Sequence, residues 1–442
     1  MLRPLARTTA ALYLCAAPAF AQPVLVVDLA PSTAQSTRTF GAILGIHPLA
    51  DGGVVVNDAG RRQLLHLDRT LNIARVVLDS ASGTSASYGA RPVPLISYLG
   101  DSALFVDLES ASLLVLDPRG RVARSMAAPK PNDLPFLVSS AAYADAQGRL
   151  VYRGKAIAVV TASRGASPSG DGALNDSLPI LRADFDTRRV DTIGRVKSAS
   201  GTRTVLGADA RGTRQLHVTV NPVQLLDEWA VLTDGSVAFL RGQDYHMDRL
   251  SPSGAWQRGP RVPYEWRRLS EIDKQRVVDS ARAAIARIGA SVFAMQESGE
   301  RVDGAWGSTF SLATGRPEQV PNSGTPPPPP AGAPAAARMS PPRVEVVPVA
   351  EIGDYLPALR TGAARPDRAG NLWVLPTTSV LSRAGELVYD VLDAAGRLSY
   401  RVRVPVGRSV VGFGVAGVVY LVAGDRGRGF VLERSRVVMA NP

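Results

Sequence analysis

A short strand, a tight turn built on aspartate or glycine, and a second, more apolar strand recur six times along this 442-residue chain. No other feature limits the possible folds as much. The phrase reads Leu49-Ala-Asp51-Gly52-Gly-Val-Val-Val56 at its first occurrence and returns around Asp101, Asp145-Ala-Gln-Gly148, Asp234-Gly235, Asp367-Arg-Ala-Gly370 and Gly414 to Gly417. Aspartate accepts backbone N–H groups at the start of a turn, and glycine takes the positive φ that other residues resist. The aspartates are therefore read as turn formers and not as catalytic carboxylates.

Most of these hairpins are followed by a second, as in Leu113–Asp117 into Arg121-Val122 and Val388–Asp393 into Arg397-Leu398, so each repeat is a four-stranded meander. The second strand of a repeat is almost continuously apolar, whereas the last alternates, with Leu398, Tyr400, Val402 and Val404 opposed to Ser399, Arg401 and Arg403. Strands buried on both faces near a common axis and alternating strands at a solvated rim are what radially stacked sheets require. The expected fold is all-β: a six-bladed β-propeller of four-stranded antiparallel blades, forming one domain over residues 22–442, with one inserted helix and a Pro-rich loop. The sixth repeat supplies only three strands, and the strand at residues 24–29 is expected to complete that last blade, hiding two sheet edges at once.

In such a meander the tight turns share one face, while the loops between second and third strands and the links between blades share the other. All long insertions fall on the second face: Arg153 to Pro179, Lys197 to about Leu225, and about 263–358. The last contains a helix predicted over 270–288, with Ser270 as N-cap, Asp273 reaching back to it, Val277, Ala281, Ala284, Ile285 and Ile288 on a stripe, and Gly289 as the stop. From 321 to 342 it becomes Pro- and Ala-rich, with five consecutive prolines at 326–330, a composition that favours extended tether geometry over a packed core.

The repeat Asp367-x-x-Gly370-Asn371-Leu372-Trp373-Val374 and its degenerate copies resemble those of exported six-bladed propellers of NHL-like and TolB-like type, over about residues 40 to 435. That superfamily includes lactonases, lyases, sugar-binding modules and interaction scaffolds, so the resemblance implies a fold and not an activity.

Residues 1–21 carry Arg3 and Arg7, an apolar stretch, and Ala19-Phe20-Ala21, the pattern of a cleaved secretory signal. Cys15, the one cysteine, would leave with it, so disulfides and thiolate chemistry are excluded from the processed chain. No later stretch reaches the roughly 18 to 20 apolar residues of a membrane-spanning helix. The expected location is secreted or periplasmic. Net charge +11 becomes +9 without the two leader arginines (11 − 2 = 9), but the arginines are scattered and form no basic block, which argues against nucleic acid.

Motifs for chemistry are absent. His47, His66, His217 and His246 share no metal-ligand spacing; Gly165-Ala-Ser167-Pro168-Ser169-Gly170 is not a nucleophile elbow; and no Gly-rich turn precedes a helix as phosphate binding requires. Asp171, Asn175 and Asp176 could approach calcium, without the spacing of a dedicated loop; no cofactor is otherwise expected. One cluster has the materials of a binding surface: Arg241, Asp244 and Tyr245 in a loop on the insertion-bearing face, and Tyr264, Trp266 and Arg267 just after the same blade. The expected function is recognition by a monomer of a peptide, glycan or envelope protein; the alternative is a metal-dependent hydrolase or lyase of the propeller-lactonase kind, which would gather ligands from several blades around the axis.

Overall fold

The computed structural model describes residues 24–80, 87–89, 91–139, 141–154, 160–161, 177–197, 203–208, 214–297, 339–382, 385–425 and 427–438. The leader, the oxygen-rich loop at 171–176, the serine loop at 165–170 and most of the Pro-rich stretch lie outside them.

Six antiparallel sheets follow one another in chain order, each running from an inner to an outer strand. Blade one comprises Ile43–Pro48, Val54–Asp58, Gln63–Leu67 and Ile73–Leu78. Blade two comprises Leu95–Ser97, Ala103–Asp107, Ser112–Leu116 and Val122–Ala127, and blade three Ala142–Ala144, Leu150–Arg153, Ser177–Ala183 and Val190–Lys197. Blade four is Glu228–Val231, Val237–Arg241, His246–Leu250 and Trp256–Arg261; blade five is Ala364–Pro366, Leu372–Val374, Leu387–Leu392 and Leu398–Val404; blade six begins with Arg408–Phe413, Val418–Asp425 and Gly429–Arg436. The six-bladed propeller read from the repeats is thus observed. Burial follows the expected gradient: Val54–Asp58 and Ser112–Leu116 are buried throughout, while the outer strands of blades two and four are largely exposed.

Apolar clusters fill the spaces between neighbouring blades. Phe105, Leu114, Leu104 and Tyr152 lie in one, Trp229, Phe239 and Ile180 join blades three and four, and Trp373, Val391 and Phe413 join blades five and six. At the ring's closure Ile46 of blade one faces Gly412 of blade six, where an added Cβ would stand 2.5 Å from Ile46 Cγ1. On the tight-turn side Arg368 of blade five lies across the axis, donating to Asp101 Oδ1 at 3.2 Å and to the Pro48 carbonyl at 3.4 Å.

The N-terminal segment completes the last blade differently from expectation. Val26–Asp28 pairs in parallel with Leu398–Val404 and becomes a fifth strand of blade five. The strand that completes blade six is Ala34–Gln35, antiparallel to Gly429–Arg436. Between the two, Leu29 bridges Val437 and the Ala30 N–H donates to the Arg436 carbonyl at 2.9 Å, so the chain crosses from one blade's rim to the next. The physical reason is edge supply: blades five and six both present an unpaired outer strand, and one extended segment covers both.

Two further corrections concern the insertions. The expected helix starts as read, with Ser270 and Asp273 in reciprocal hydrogen bonds, but it runs Glu271–Glu297 through Gly289; a lone glycine costs only about 1 kcal/mol inside a helix. Shorter helices also occur, at Leu134–Ser139 and Thr377–Val380, too brief to leave a periodic signal. A seventh sheet was not anticipated. It orders Val160–Thr161, Arg203–Ala208, Arg214–Val220 and Met339–Val346, drawing strands from all three long insertions. The end of the Pro-rich stretch enters it, and the register shifts between Gln215 and His217, opposite the prolines at 341 and 342, which have no N–H to give.

Candidate ligand-binding face

Blade four and the long helix frame the face on which the insertions gather. Blade four's loop from Arg241 to Asp248 is held by charge. Arg241 bridges Asp227 and Asp248, each at 2.9 Å, and its guanidinium stands over the Phe239 ring. Asp244 accepts from His246 Nδ1 at 2.5 Å and pairs with Arg258 at 2.8 Å, while His246 Nε2 faces Asp248 at 3.0 Å. Burial alone would raise the Asp244 carboxyl, but His246, Arg258 and Arg261 hold it below its ordinary range.

Tyr245 has a positive φ of 46° and is fully buried, its hydroxyl donating to Asp390 Oδ2 at 2.7 Å. Burial, with the Asp390 charge added, pushes its phenol well up. Asp390 in turn accepts from Arg401 at 2.7 Å; burial still leaves its carboxyl raised.

From Tyr245 an aromatic ladder runs outward. Its ring meets Tyr264 edge-on at 5.6 Å, and Tyr264 meets Trp266 edge-on at 5.0 Å. The Tyr264 hydroxyl is buried facing Thr378, outside standard hydrogen-bond geometry. Trp266 emerges 39% exposed, with Tyr355 at 52%. Together with Val223, Leu225, Gln243, Gly353 and Pro357 they line a groove of about 530 Å3.

The far wall is built by pairing across about ninety residues of chain. The Leu269 N–H donates to the Asp354 carbonyl at 2.8 Å and the Leu356 N–H to the Arg267 carbonyl at 2.9 Å. Lys274 of the helix, nearly buried, reaches Asp354 at 2.7 Å and Glu271 at 2.9 Å. Val278 is buried against Val223, Leu269, Ile352 and Leu356, so the helix is seated beside the groove. Arg267 is exposed and gives the groove wall its backbone carbonyl.

Of the six residues singled out in the sequence, Tyr264, Trp266 and Arg267 thus stand at or beside the groove, whereas Arg241, Asp244 and Tyr245 support it from within blade four. Val223, Gln243, Gly353 and Tyr355 were missed. Only the pairing of Arg268 with Tyr355 brings the last two near Trp266, and no local motif carries that signal.

At the axis, on the same side, Glu228 is buried, and burial pushes its carboxyl up to about 7, against the N–H groups of Gly362 and Ala364 and the charges of Arg153 and Arg365. Burial lowers the Arg153 guanidinium while Glu228 opposes that. Tyr143 stands beside Glu228 and Arg365, its phenol raised by burial. Among the described residues no three His, Cys, Asp or Glu side chains form a group that could hold a metal ion, and no helix is long and apolar enough to cross a membrane.

Fold and one-sided insertions define the chain as a six-bladed β-propeller with an elaborated loop face. No protein family matches it, and no curated protein does. Among solved structures it is similar to virginiamycin B lyase of Staphylococcus aureus (10% identity, 92% of this chain and 99% of that chain, TM-score 0.36). It is also similar to a gluconolactonase of Xanthomonas campestris (10% identity, 94% and 98%, TM-score 0.35) and to a calcium-binding regucalcin of Agrobacterium tumefaciens (11% identity, 94% and 98%, TM-score 0.35). Likeness at this level transfers no activity.

Proposed function

We propose that this chain is an exported recognition propeller that takes a peptide or glycan, free or displayed by an envelope protein, along the groove between the long helix and blade four. The observation that carries this reading is the pair of large aromatic side chains, Trp266 and Tyr355, left 39% and 52% exposed in the lining of one groove of about 530 Å3. That volume lies within the range of ligand pockets, and half-exposed aromatic rings on rigid supports are the usual anchors of peptides and sugars. The ladder behind Trp266 ends in a buried Tyr–Asp–Arg chain, so the ring is preorganised and loses little freedom on binding.

At the axis, the arginines beside Glu228 favour recognition over metal-assisted hydrolysis. In this reading the chain works as a monomer outside the inner membrane, and calcium is not needed for binding. Intrinsic tryptophan fluorescence, titrated with peptidoglycan fragments and with proline-containing peptides, tests it. Trp266→Ala should weaken binding by at least tenfold with the melting temperature unchanged; equal affinity of the variant for every ligand that binds the parent would refute the groove as the site. A calcium-dependent rise in melting temperature would favour the metal-dependent alternative instead.

A further inference from the structure

At the tight-turn end of the propeller a buried histidine meets a hydroxyl across the gap between blades one and two. His47, near the end of blade one's inner strand, is buried. Its neighbour Ile46 faces blade six at the ring's closure, so strand alternation turns His47 toward blade two. There its Nδ1 lies 3.1 Å from the hydroxyl of Ser97, the exposed last residue of that blade's inner strand, and its Nε2 lies 3.0 Å from the Asp101 carbonyl. The repeat itself does not call for a histidine: in the other five blades the matching residue, two before the hydrogen-bonded turn, is Ile96, Tyr143, Ala230, Arg365 or Gly412.

Those two contacts fix the proton. A carbonyl only accepts, so Nε2 carries the hydrogen, and Nδ1 presents a lone pair to which the Ser97 O–H donates. Burial lowers the imidazole and the Arg368 charge adds to this, against the Asp101 carbonyl and carboxylate, so the ring is neutral at pH 7.

Asp101 holds both neighbours of the pair. It sits in the left-handed region at φ 56°, directly after Gly100 at 58°, a geometry that a residue other than glycine adopts at a cost, and in it the carbonyl meets His47. Its carboxylate anchors Arg368, which reaches from blade five to Asp101 Oδ1 at 3.2 Å and to the carbonyl of Pro48, the residue after His47, at 3.4 Å. A guanidinium therefore stands at the edge of the histidine–serine pair, where it favours negative charge.

An exposed hydroxyl donating to a neutral imidazole whose far nitrogen is anchored is the arrangement of an activated nucleophile. We propose that Ser97 and His47 form an acyl-transfer dyad that cleaves carboxylic esters or thioesters reaching the tight-turn side of the propeller. Ser97 Oγ bonds to the acyl carbon as its proton passes to His47 Nδ1. The bond to the leaving oxygen or sulfur then breaks, and that atom departs with the proton from Nδ1. Water repeats the step on the acyl-serine, its proton passing through Nδ1 to Ser97 Oγ as the carboxylic acid leaves. A ring lowered by burial is a weak base, so the leaving group must itself be acidic, as in phenolic esters and thioesters, and amides are not expected substrates. The groove beside the long helix lies on the opposite face and takes no part in this chemistry.

Two probes of the full chain test the dyad. A fluorophosphonate should leave an adduct on Ser97, located by peptide mass spectrometry, and 4-nitrophenyl acetate should give a burst of about one nitrophenolate per chain followed by slower turnover. Ser97→Ala, at an exposed position, should abolish the adduct and slow nitrophenolate release by about a hundredfold or more at unchanged melting temperature. His47→Gln removes the base and should leave Ser97 unlabelled; should that buried variant fail to fold, the adduct and Ser97→Ala decide alone. Absence of the Ser97 adduct in the parent chain, equal nitrophenolate release from Ser97→Ala, or undiminished Ser97 labelling in a folded His47→Gln would overturn the proposal.

Discussion

An aspartate three residues before a glycine performs the same task in blade after blade. Asp145 accepts the N–H groups of Gln147 and Arg149, both at 3.0 Å, and the Arg149 Nε at 2.7 Å, while Gly148 takes φ 77°. Asp393 repeats this with Ala395 and Arg397, and Asp367 with Ala369 and Asn371. Burial works against the Asp393 charge, but the Arg397 N–H and guanidinium prevail and hold its carboxyl low. Asp145→Ala removes three charge-assisted hydrogen bonds from a buried turn and should cost about 2 to 3 kcal/mol in urea denaturation. Glu228 is the opposite case. Its folded pKa lies above the unfolded value, so the stability it confers is complete below about 4.5 and is lost as pH rises through about 7. Relative to Glu228→Gln, the parent chain should therefore lose stability progressively between pH 5 and 8, by on the order of 1 to 3 kcal/mol; parallel stability–pH curves for the two proteins would refute this.

Between elements, close approach replaces covalent cross-links. Gly194, on the outer strand of blade three at an irregularity in its pairing with Ile180, faces the Phe239 ring of blade four so tightly that an added methyl would collide with it. Gly194→Ala should destabilise by about 1 to 3 kcal/mol through overpacking, visible as a lower urea midpoint with an unchanged slope. The N-terminal segment acts as a clasp in two parts. Residues 26–28 add only a parallel fifth strand to blade five. Residues 30–36 satisfy blade six: Thr33 and Ser36 donate to the carbonyls of Arg434 and Leu432 at 2.7 and 2.8 Å, and Ser36 Oγ accepts the Leu432 N–H at 3.0 Å. A chain beginning at residue 30 should melt close to the parent. One beginning at residue 38 should melt markedly lower, since each lost hydrogen bond is worth about 1 kcal/mol and a long edge is uncovered. Equal melting of the two would exclude blade six as the part that matters.

Across the whole molecule, the repeat pattern was legible because turn chemistry and burial act within a few residues. The Asp and Gly positions mark each hairpin, the polarity gradient orders the strands from axis to rim, and loop parity puts the long insertions on one face. Trp266 and Tyr264 could be picked out for the same reason, as aromatic residues beside a known blade. Tertiary structure alone decided which edge the first strand covers, because blades five and six offered chemically similar edges and only their relative position chooses between them. It likewise decided that Arg241 and Asp244 spend their charges on Asp227, Asp248 and Arg258, and that Tyr355 lines the same groove as Trp266. The charge pairs of blade four are close in sequence, yet only the folded blade decides which carboxylate each arginine meets, whereas the bridge from Arg268 to Tyr355 spans about ninety residues of chain that no local stretch of sequence encodes.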